Sequence, residues 1–97
     1  MFWCKIHFYQ KDIVVGICDE ELLGKKIRFN EHEVEIKEEF YKGEKVNEEK
    51  ALEAMKKATI GNLFGKKIIA LAEKHNFVSK KNVILIGGIP HAQFVKF

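Results

Sequence analysis

The sequence is poor in several residue types on which catalysis and base recognition depend. Its 97 residues include one serine, one threonine, one proline and one arginine beside sixteen lysines. Ser79 precedes two lysines with no catalytic motif around it, which argues against a serine nucleophile. Because Arg28 is the only arginine, the chain can make few of the bidentate contacts by which arginine recognises base edges.

The chain also lacks the segments that would direct it into or across a membrane. No apolar run approaches the roughly 20 residues of a membrane helix. The start, MFWCKIHFYQ, has neither the basic beginning nor the small-residue cleavage site of a secretion signal. These features predict a cytoplasmic protein without membrane contact, in which Cys4 and Cys18 are buried free thiols.

No group of residues has the spacing of a metal or cofactor site. Cys4 and His7 are three apart, and on a strand such positions point to opposite faces. No second pair of ligands follows at zinc spacing. We therefore predict neither a metal nor a cofactor.

What the chain does contain fits one globular domain spanning residues 1–97. Hydrophobic residues make up 46% and charged residues 32%, which excludes a disordered chain. The high lysine and glutamate content is typical of thermophile proteins, although an AT-rich genome would also favour lysine over arginine.

Hydrophobic periodicity predicts an α+β fold with a mainly antiparallel sheet and two helices. The strands are expected at 2–9, 13–18, 32–37, 83–86 and 92–97, with 83–86 buried and 38–46 a loop. The helices are expected at about 47–58, capped by Asn47, and 60–75, where Gly61 and Gly65 share one face. Asp19 is expected to cap a short helical turn that Gly24 ends.

Charge is unevenly distributed along the chain. Residues 30–50 carry a net charge of −4, whereas residues 51–97, with eight lysines and two acids, carry +6. We predict a basic helical face that binds RNA phosphates weakly and without sequence preference. Its members are Lys56, Lys57, Lys66, Lys67 and Lys74. The alternative is a solvated face that only confers solubility.

Two predicted strand ends carry residue types that are infrequent in this sequence, and we predict that the two ends are neighbours. One is Cys18-Asp19, and the other is GGIPHAQ, in which Gly87, Gly88 and Pro90 hold His91 rigidly. Such a corner is either a simple reversal or the edge of a site. An enzyme would use Cys18 as nucleophile with Asp19 and His91 beside it.

A stripe of aromatic and basic residues on the first strand offers a second candidate surface. Trp3, Lys5, His7 and Tyr9 alternate with apolar residues, so they share one face of the strand. An open face of this kind would stack single-stranded nucleic acid. A face covered by other elements would simply bury the same side chains, and we favour that interpretation.

Four segments together resemble an archaeal family known as domain of unknown function 424. They are CDEELLGKKI, EEFYKGE, ATIGNLFGKK and GGIPHAQ. The resemblance covers nearly the whole chain and implies a small archaeal α+β domain with a context in translation and no assigned activity. The matching positions are Cys18, Asp19, Gly24, Asn62, Gly65, Gly87, Gly88, Pro90 and His91, of which the glycines, Asn62 and Pro90 are expected to shape a site.

These observations favour a non-enzymatic binding module for RNA or a ribonucleoprotein. The alternatives are the small enzyme described above and a protein–protein adaptor. An adaptor would show an exposed apolar patch instead of a basic one. The oligomeric state is left open by the sequence.

Overall fold

The computed structural model describes all 97 residues, which form eight strands and three helices. The strands are β1 (Phe2–Tyr9), β2 (Asp12–Asp19), β3 (Lys26–Phe29), β4 (His32–Glu35), β5 (Glu44–Val46), β6 (Ile60–Phe64), β7 (Ile84–Ile86) and β8 (Ile89–Val95). The helices are α1 (Glu38–Tyr41), α2 (Glu48–Lys57) and α3 (Lys66–Lys74). None of them has the length and apolar character that crossing a membrane requires.

Six strands form the main sheet, and the other two form a separate hairpin. The order across the sheet is β5-β1-β2-β6-β8-β7, and β3 pairs with β4. Every pair is antiparallel except β2 with β6, which are parallel. The predicted α+β class with a mainly antiparallel sheet is therefore confirmed.

The two faces of the main sheet are covered to different extents. On the helix face, Val15, Ile17 and Leu63 are fully buried in one core with apolar residues of α2 and α3. On the second face, Cys18 and Phe64 anchor a smaller core with residues of α1 and of the segments beside it. We call the end of the sheet at Asp19 and Phe64 the upper end, and the end at Asp12 and Ile60 the lower end.

The predicted helix at 47–58 is confirmed as α2. Its Asn47 side chain accepts a hydrogen bond from the Lys50 backbone N–H at 3.0 Å, which satisfies a free donor of the first turn. At the other end of α2, the Lys96 ammonium donates to the Met55 and Lys56 carbonyls at 2.7 and 2.8 Å. Desolvation lowers the pKa of Lys96.

The predicted helix at 60–75 is wrong in its first third. Residues Ile60–Phe64 form the central strand β6, and α3 begins only at Lys66. The run IGNLF is too short for its hydrophobic pattern to distinguish a helix from a strand. Pairing with β2 and β8 makes it a strand. Gly61 and Gly65 therefore do not share a helix face. Instead, the Phe94 ring packs where a Gly61 side chain would begin.

Three other local predictions are corrected. The expected loop at 38–46 contains α1 and β5, and β3 was missed as the partner of β4. The expected buried strand at 83–86 is the edge strand β7, on which Ile84 and Leu85 are exposed because nothing pairs beyond it. The last strand begins at Ile89, because Gly87 and Gly88, with φ of 58° and 83°, form a two-residue hairpin turn.

Gly61→Ala should lower the free energy of unfolding by about 1–3 kcal/mol, because the new methyl group overpacks the core. The added Cβ would overlap the Phe94 ring. Urea unfolding of Gly61→Ala, Phe94→Leu and the double variant measures the effect. We expect the double variant to be more stable than the sum of the two single losses predicts. Strict additivity would show that the two positions are not in contact.

Candidate functional site

The two strand ends singled out by the sequence lie at the same, upper end of the sheet. Cys18 of β2 is opposite Phe64 of β6, and Phe64 is opposite His91 of β8. The predicted proximity of the two segments is thus confirmed, with β6 between them.

Asp19 caps the N-terminus of α3. The expectation that Asp19 caps the short helical turn directly after it is therefore wrong. Its Oδ2 accepts a hydrogen bond from the Lys67 N–H and its Oδ1 from the Ile68 N–H, both at 2.9 Å. The turn at Glu20–Leu22 receives no side-chain cap. Asp19 is 3% exposed and is the only buried charged residue. Burial raises its pKa, and the two backbone N–H donors oppose that shift.

Gly65 connects this cap to the strand that contains Pro90. Its φ of 127° is available only to glycine at low cost, and a Cβ there would overlap the Asp19 carboxyl group. The Gly65 N–H donates to the Pro90 carbonyl at 2.9 Å. Gly24, with φ of 81°, donates to the Ile36 carbonyl at 2.8 Å. Most matching positions of the family resemblance therefore have structural roles.

The geometry does not assemble the proposed Cys18 and His91 pair. Two strand spacings, about 10 Å, separate their backbones, and the Phe64 ring packs edge-on against His91 with centroids 4.8 Å apart. Burial, with help from the charges of Asp19 and Glu21, raises the pKa of Cys18 to about 12. Desolvation lowers the pKa of His91. A thiol this basic is a poor source of thiolate at neutral pH.

The predicted basic helical face is divided between the two ends of the sheet. Lys66 and Lys67 begin α3 at the upper end, whereas Lys56 and Lys57 end α2 at the lower end. Lys74 ends α3, which runs back toward the lower end, as the contact of Phe77 with Phe94 shows. The division arises because β6 replaces the expected start of the second helix.

The upper-end lysines do not form an anion site with the N-terminus of α3. Helix N-termini bind phosphates through free backbone N–H groups. Here Asp19 already occupies the N–H groups of Lys67 and Ile68. Lys67 also lies 3.7 Å from the Glu21 carboxylate.

The first-strand stripe is covered at its upper end and open at its lower end. Trp3 joins the second-face core, and the Lys42 and Lys45 ammonium groups lie over its ring. His7 stacks on Phe40 with centroids 4.7 Å apart, and its Nε2 lies 3.0 Å from the Phe40 carbonyl oxygen. Tyr9, in contrast, is 57% exposed. The preferred interpretation, a covered stripe, therefore holds for its upper half only.

The lower half of the second face is buried on β2, at Val14 and Gly16, but half-exposed or exposed on β6 and β8, and we call this part the open face. Asn62 lies opposite Gln93, and in the next position of this row Gly16 is buried under the Phe40 ring, which bounds the open face. The open face comprises Ile60, Asn62, Gln93 and Val95, and exposed Tyr9 lies beyond buried Val14 at the same end of the sheet. Neither amide side chain makes a hydrogen bond within the chain. Sequence analysis missed Gln93, although a polar residue between buried Ala92 and Phe94 signals an outward position.

Lysines gather around the lower end of the sheet, most of them on α2 and α3, which cover the face opposite the open face. Lys11 lies in the turn between β1 and β2, and Thr59 links α2 to that end by donating its N–H to the Ile13 carbonyl. Lys96 follows by donating its N–H to the Thr59 carbonyl. We call Lys11, Lys56, Lys57 and Lys74 the lower-end lysines, and leave out Lys96 because its ammonium is bonded to the Met55 and Lys56 carbonyls. No three histidine, cysteine, aspartate or glutamate side chains in the chain gather closely enough to hold a metal ion.

Comparisons with known proteins find one matching family model and a solved structure with a similar fold. The model described as "Protein of unknown function (DUF424)" matches residues 7–97. The chain is similar to a crystal structure of an uncharacterized conserved protein from Methanopyrus kandleri, with 22% sequence identity and a TM-score of 0.82. That match covers 99% of this chain and 93% of the other. A comparison with curated proteins finds no match.

Asp19→Ala should lower the free energy of unfolding by about 2–3 kcal/mol, since it leaves two N–H donors of α3 without an acceptor. Asp19→Asn should lose less, because its side-chain oxygen can still accept one of the two bonds. Urea unfolding monitored by circular dichroism measures both. Glu20→Ala, which removes an exposed charge at the next position, is the control. A loss for Asp19→Ala no larger than that of the control would contradict the capping role.

Proposed function

Because the chain belongs to the DUF424 family of proteins of unknown function, which offers no activity to transfer, we propose its function from geometry. It is a non-enzymatic module that binds single-stranded RNA or an RNA segment of a ribonucleoprotein. The bases lie on the open face, and the phosphates lie against the lower-end lysines.

The observation that supports this proposal is a pair of amide side chains on β6 and β8 that have no hydrogen-bond partner in the chain and are half-exposed or exposed. Asn62 and Gln93 each offer an amide oxygen and an amide N–H group from adjacent central strands. Tyr9 adds an exposed aromatic ring at the same end. A sheet surface that combines stacking rings with polar side chains suits unpaired bases, which present both a flat face and a hydrogen-bonding edge.

The lower-end lysines suit the phosphate backbone. Lys56 and Lys57 lie at the C-terminus of α2, and Lys11 lies in the adjacent strand turn. Asp12 is the nearest acid on β2, and its carboxylate accepts a hydrogen bond from the Thr59 hydroxyl at 3.1 Å. Because lysine is a flexible point charge, binding of this kind depends steeply on salt and weakly on sequence.

A protein–protein adaptor is the second candidate function. It is favoured by exposed apolar side chains on the edge strand β7, where Ile84 and Leu85 are about half exposed or more. Such a pair is smaller than the open face and has no charged or polar rim of its own on β7.

Two matched double variants test the RNA proposal, since each removes the same charge at a different end of the sheet. Lys56→Gln with Lys57→Gln should weaken binding of a fluorescently labelled oligouridine. It should also reduce the slope of log K against log salt by up to about 1.4. Lys66→Gln with Lys67→Gln should leave both quantities close to those of the wild type. Fluorescence anisotropy at low and moderate salt measures them.

Tyr9→Ala serves in the same assay as the test of base stacking, with an expected loss of about 1–3 kcal/mol of binding free energy. Equal effects of the two lysine pairs would show diffuse attraction without a site. No binding by the wild type at low salt would refute the RNA proposal and favour the adaptor.

A further inference from the structure

Three aromatic rings on the second face form one stack, which we call the aromatic stack. The His7 ring lies against the Phe40 ring, with centroids 4.7 Å apart and planes 17° from parallel. The same His7 ring stacks with the Tyr9 ring, with centroids 6.2 Å apart and planes 16° from parallel. Both distances are within the range of about 4.5–7 Å at which aromatic rings interact.

The strand register sets the order of the three rings. The Phe40 ring covers Gly16, which is opposite Lys5, in the row of side chains above His7. Tyr9 is two residues after His7, so its side chain emerges on the same face, in the row below. His7 therefore lies between the other two rings. The aromatic stack runs along β1 toward the lower end of the sheet and ends at Tyr9.

The inner part of the aromatic stack is anchored, whereas its outer end is exposed. Phe40 packs against the smaller core on the second face, and its ring meets the Tyr41 ring edge-on with centroids 4.9 Å apart. The His7 Nε2 donates a hydrogen bond to the Phe40 carbonyl oxygen at 3.0 Å, which fixes the plane of the His7 ring. Tyr9 is 57% exposed, and no further aromatic ring of the chain stacks on it.

We propose that His7 is a positioning residue for Tyr9, and that one base of the RNA continues the aromatic stack on the outer face of the Tyr9 ring. This inference rests on the proposed function and specifies how its stacking site is built. Because His7 already holds the Tyr9 ring in place, less rotamer freedom is lost when the base binds. His7 thereby raises the affinity without touching the RNA.

The charges at the end of the aromatic stack fit a nucleotide better than a neutral aromatic ligand. Lys11 lies in the turn two residues after Tyr9 and forms no salt bridge within the chain. Asp12 is opposite Tyr9, but its carboxylate accepts a hydrogen bond from the Thr59 hydroxyl. A base on the Tyr9 ring thus has a free ammonium group nearby for its phosphate.

A double-mutant cycle in the anisotropy assay with labelled oligouridine tests the positioning role. His7→Ala should weaken binding about two- to tenfold, because it removes the support of the Tyr9 ring. His7→Phe restores a ring and should recover most of this loss. In a Tyr9→Ala background, His7→Ala should cause no further loss, since His7 acts only through Tyr9. His32→Ala, which removes an exposed histidine from the β3–β4 hairpin, is the matched control.

The order of the Tyr9 ring in the free protein tests the same role without RNA. The chain has two tyrosines, so ¹³C relaxation of labelled tyrosine rings reports on Tyr9 and on buried Tyr41, which is the internal reference. His7→Ala should lower the order parameter of the Tyr9 ring, and His7→Phe should retain it. Tyr41 should be unchanged in both variants.

The outcomes separate this inference from the proposed function. Wild-type binding that Tyr9→Ala weakens and His7→Ala does not would overturn the positioning role alone. Equal losses from His7→Ala with and without Tyr9 would also overturn it, because His7 would then act independently of Tyr9. An unchanged order parameter in His7→Ala contradicts the support of the ring. No binding by the wild type at low salt would instead refute the proposed function, and this role with it.

Discussion

The bond between the Asp19 carboxylate and the start of α3 is the constraint on which the arrangement of the whole domain depends. A buried carboxylate loses its hydration, and two N–H donors at 2.9 Å replace part of it. The same contact fixes where β2 ends and where α3 begins. Through Gly65 it also fixes β8, because the Gly65 N–H donates to the Pro90 carbonyl. Three central strands and one helix are thereby aligned at one point.

This constraint explains why the two ends of the sheet differ. At the upper end, the helix N-terminus is filled by Asp19, and the second face is covered by the core around Cys18 and Phe64. At the lower end, Asn62 is half-exposed and Gln93 is exposed. The residues that first suggested a catalytic corner therefore hold the fold together. Our proposal assigns the ligand to the open face and to the lower-end lysines around the end of the sheet.

Local patterns in the sequence were sufficient for some of these features and insufficient for others. The alternation in β1 and the Asn47 cap depend on neighbours within a few residues, so both could be predicted. The role of Asp19 could not, because its partners Lys67 and Ile68 lie 48 and 49 residues away along the chain. The strand at Ile60–Phe64 was hidden for the same reason, since only pairing with β2 and β8 distinguishes it from a helix. The wrong expectation of a single basic helical face followed from that one error, because the strand separates the lysines of α2 from those that begin α3.

The most direct test of this account is a titration of the ¹⁵N-labelled protein with oligouridine at low salt, followed by NMR. The side-chain amide signals of Asn62 and Gln93 report on the open face, and the backbone signals of Lys67 and Ile68 report on the Asp19 cap. The account predicts that the two side-chain amides and the backbone of Lys56 and Lys57 shift, while Lys67 and Ile68 do not. Shifts confined to Lys67 and Ile68, with the side-chain amides unchanged, would contradict it.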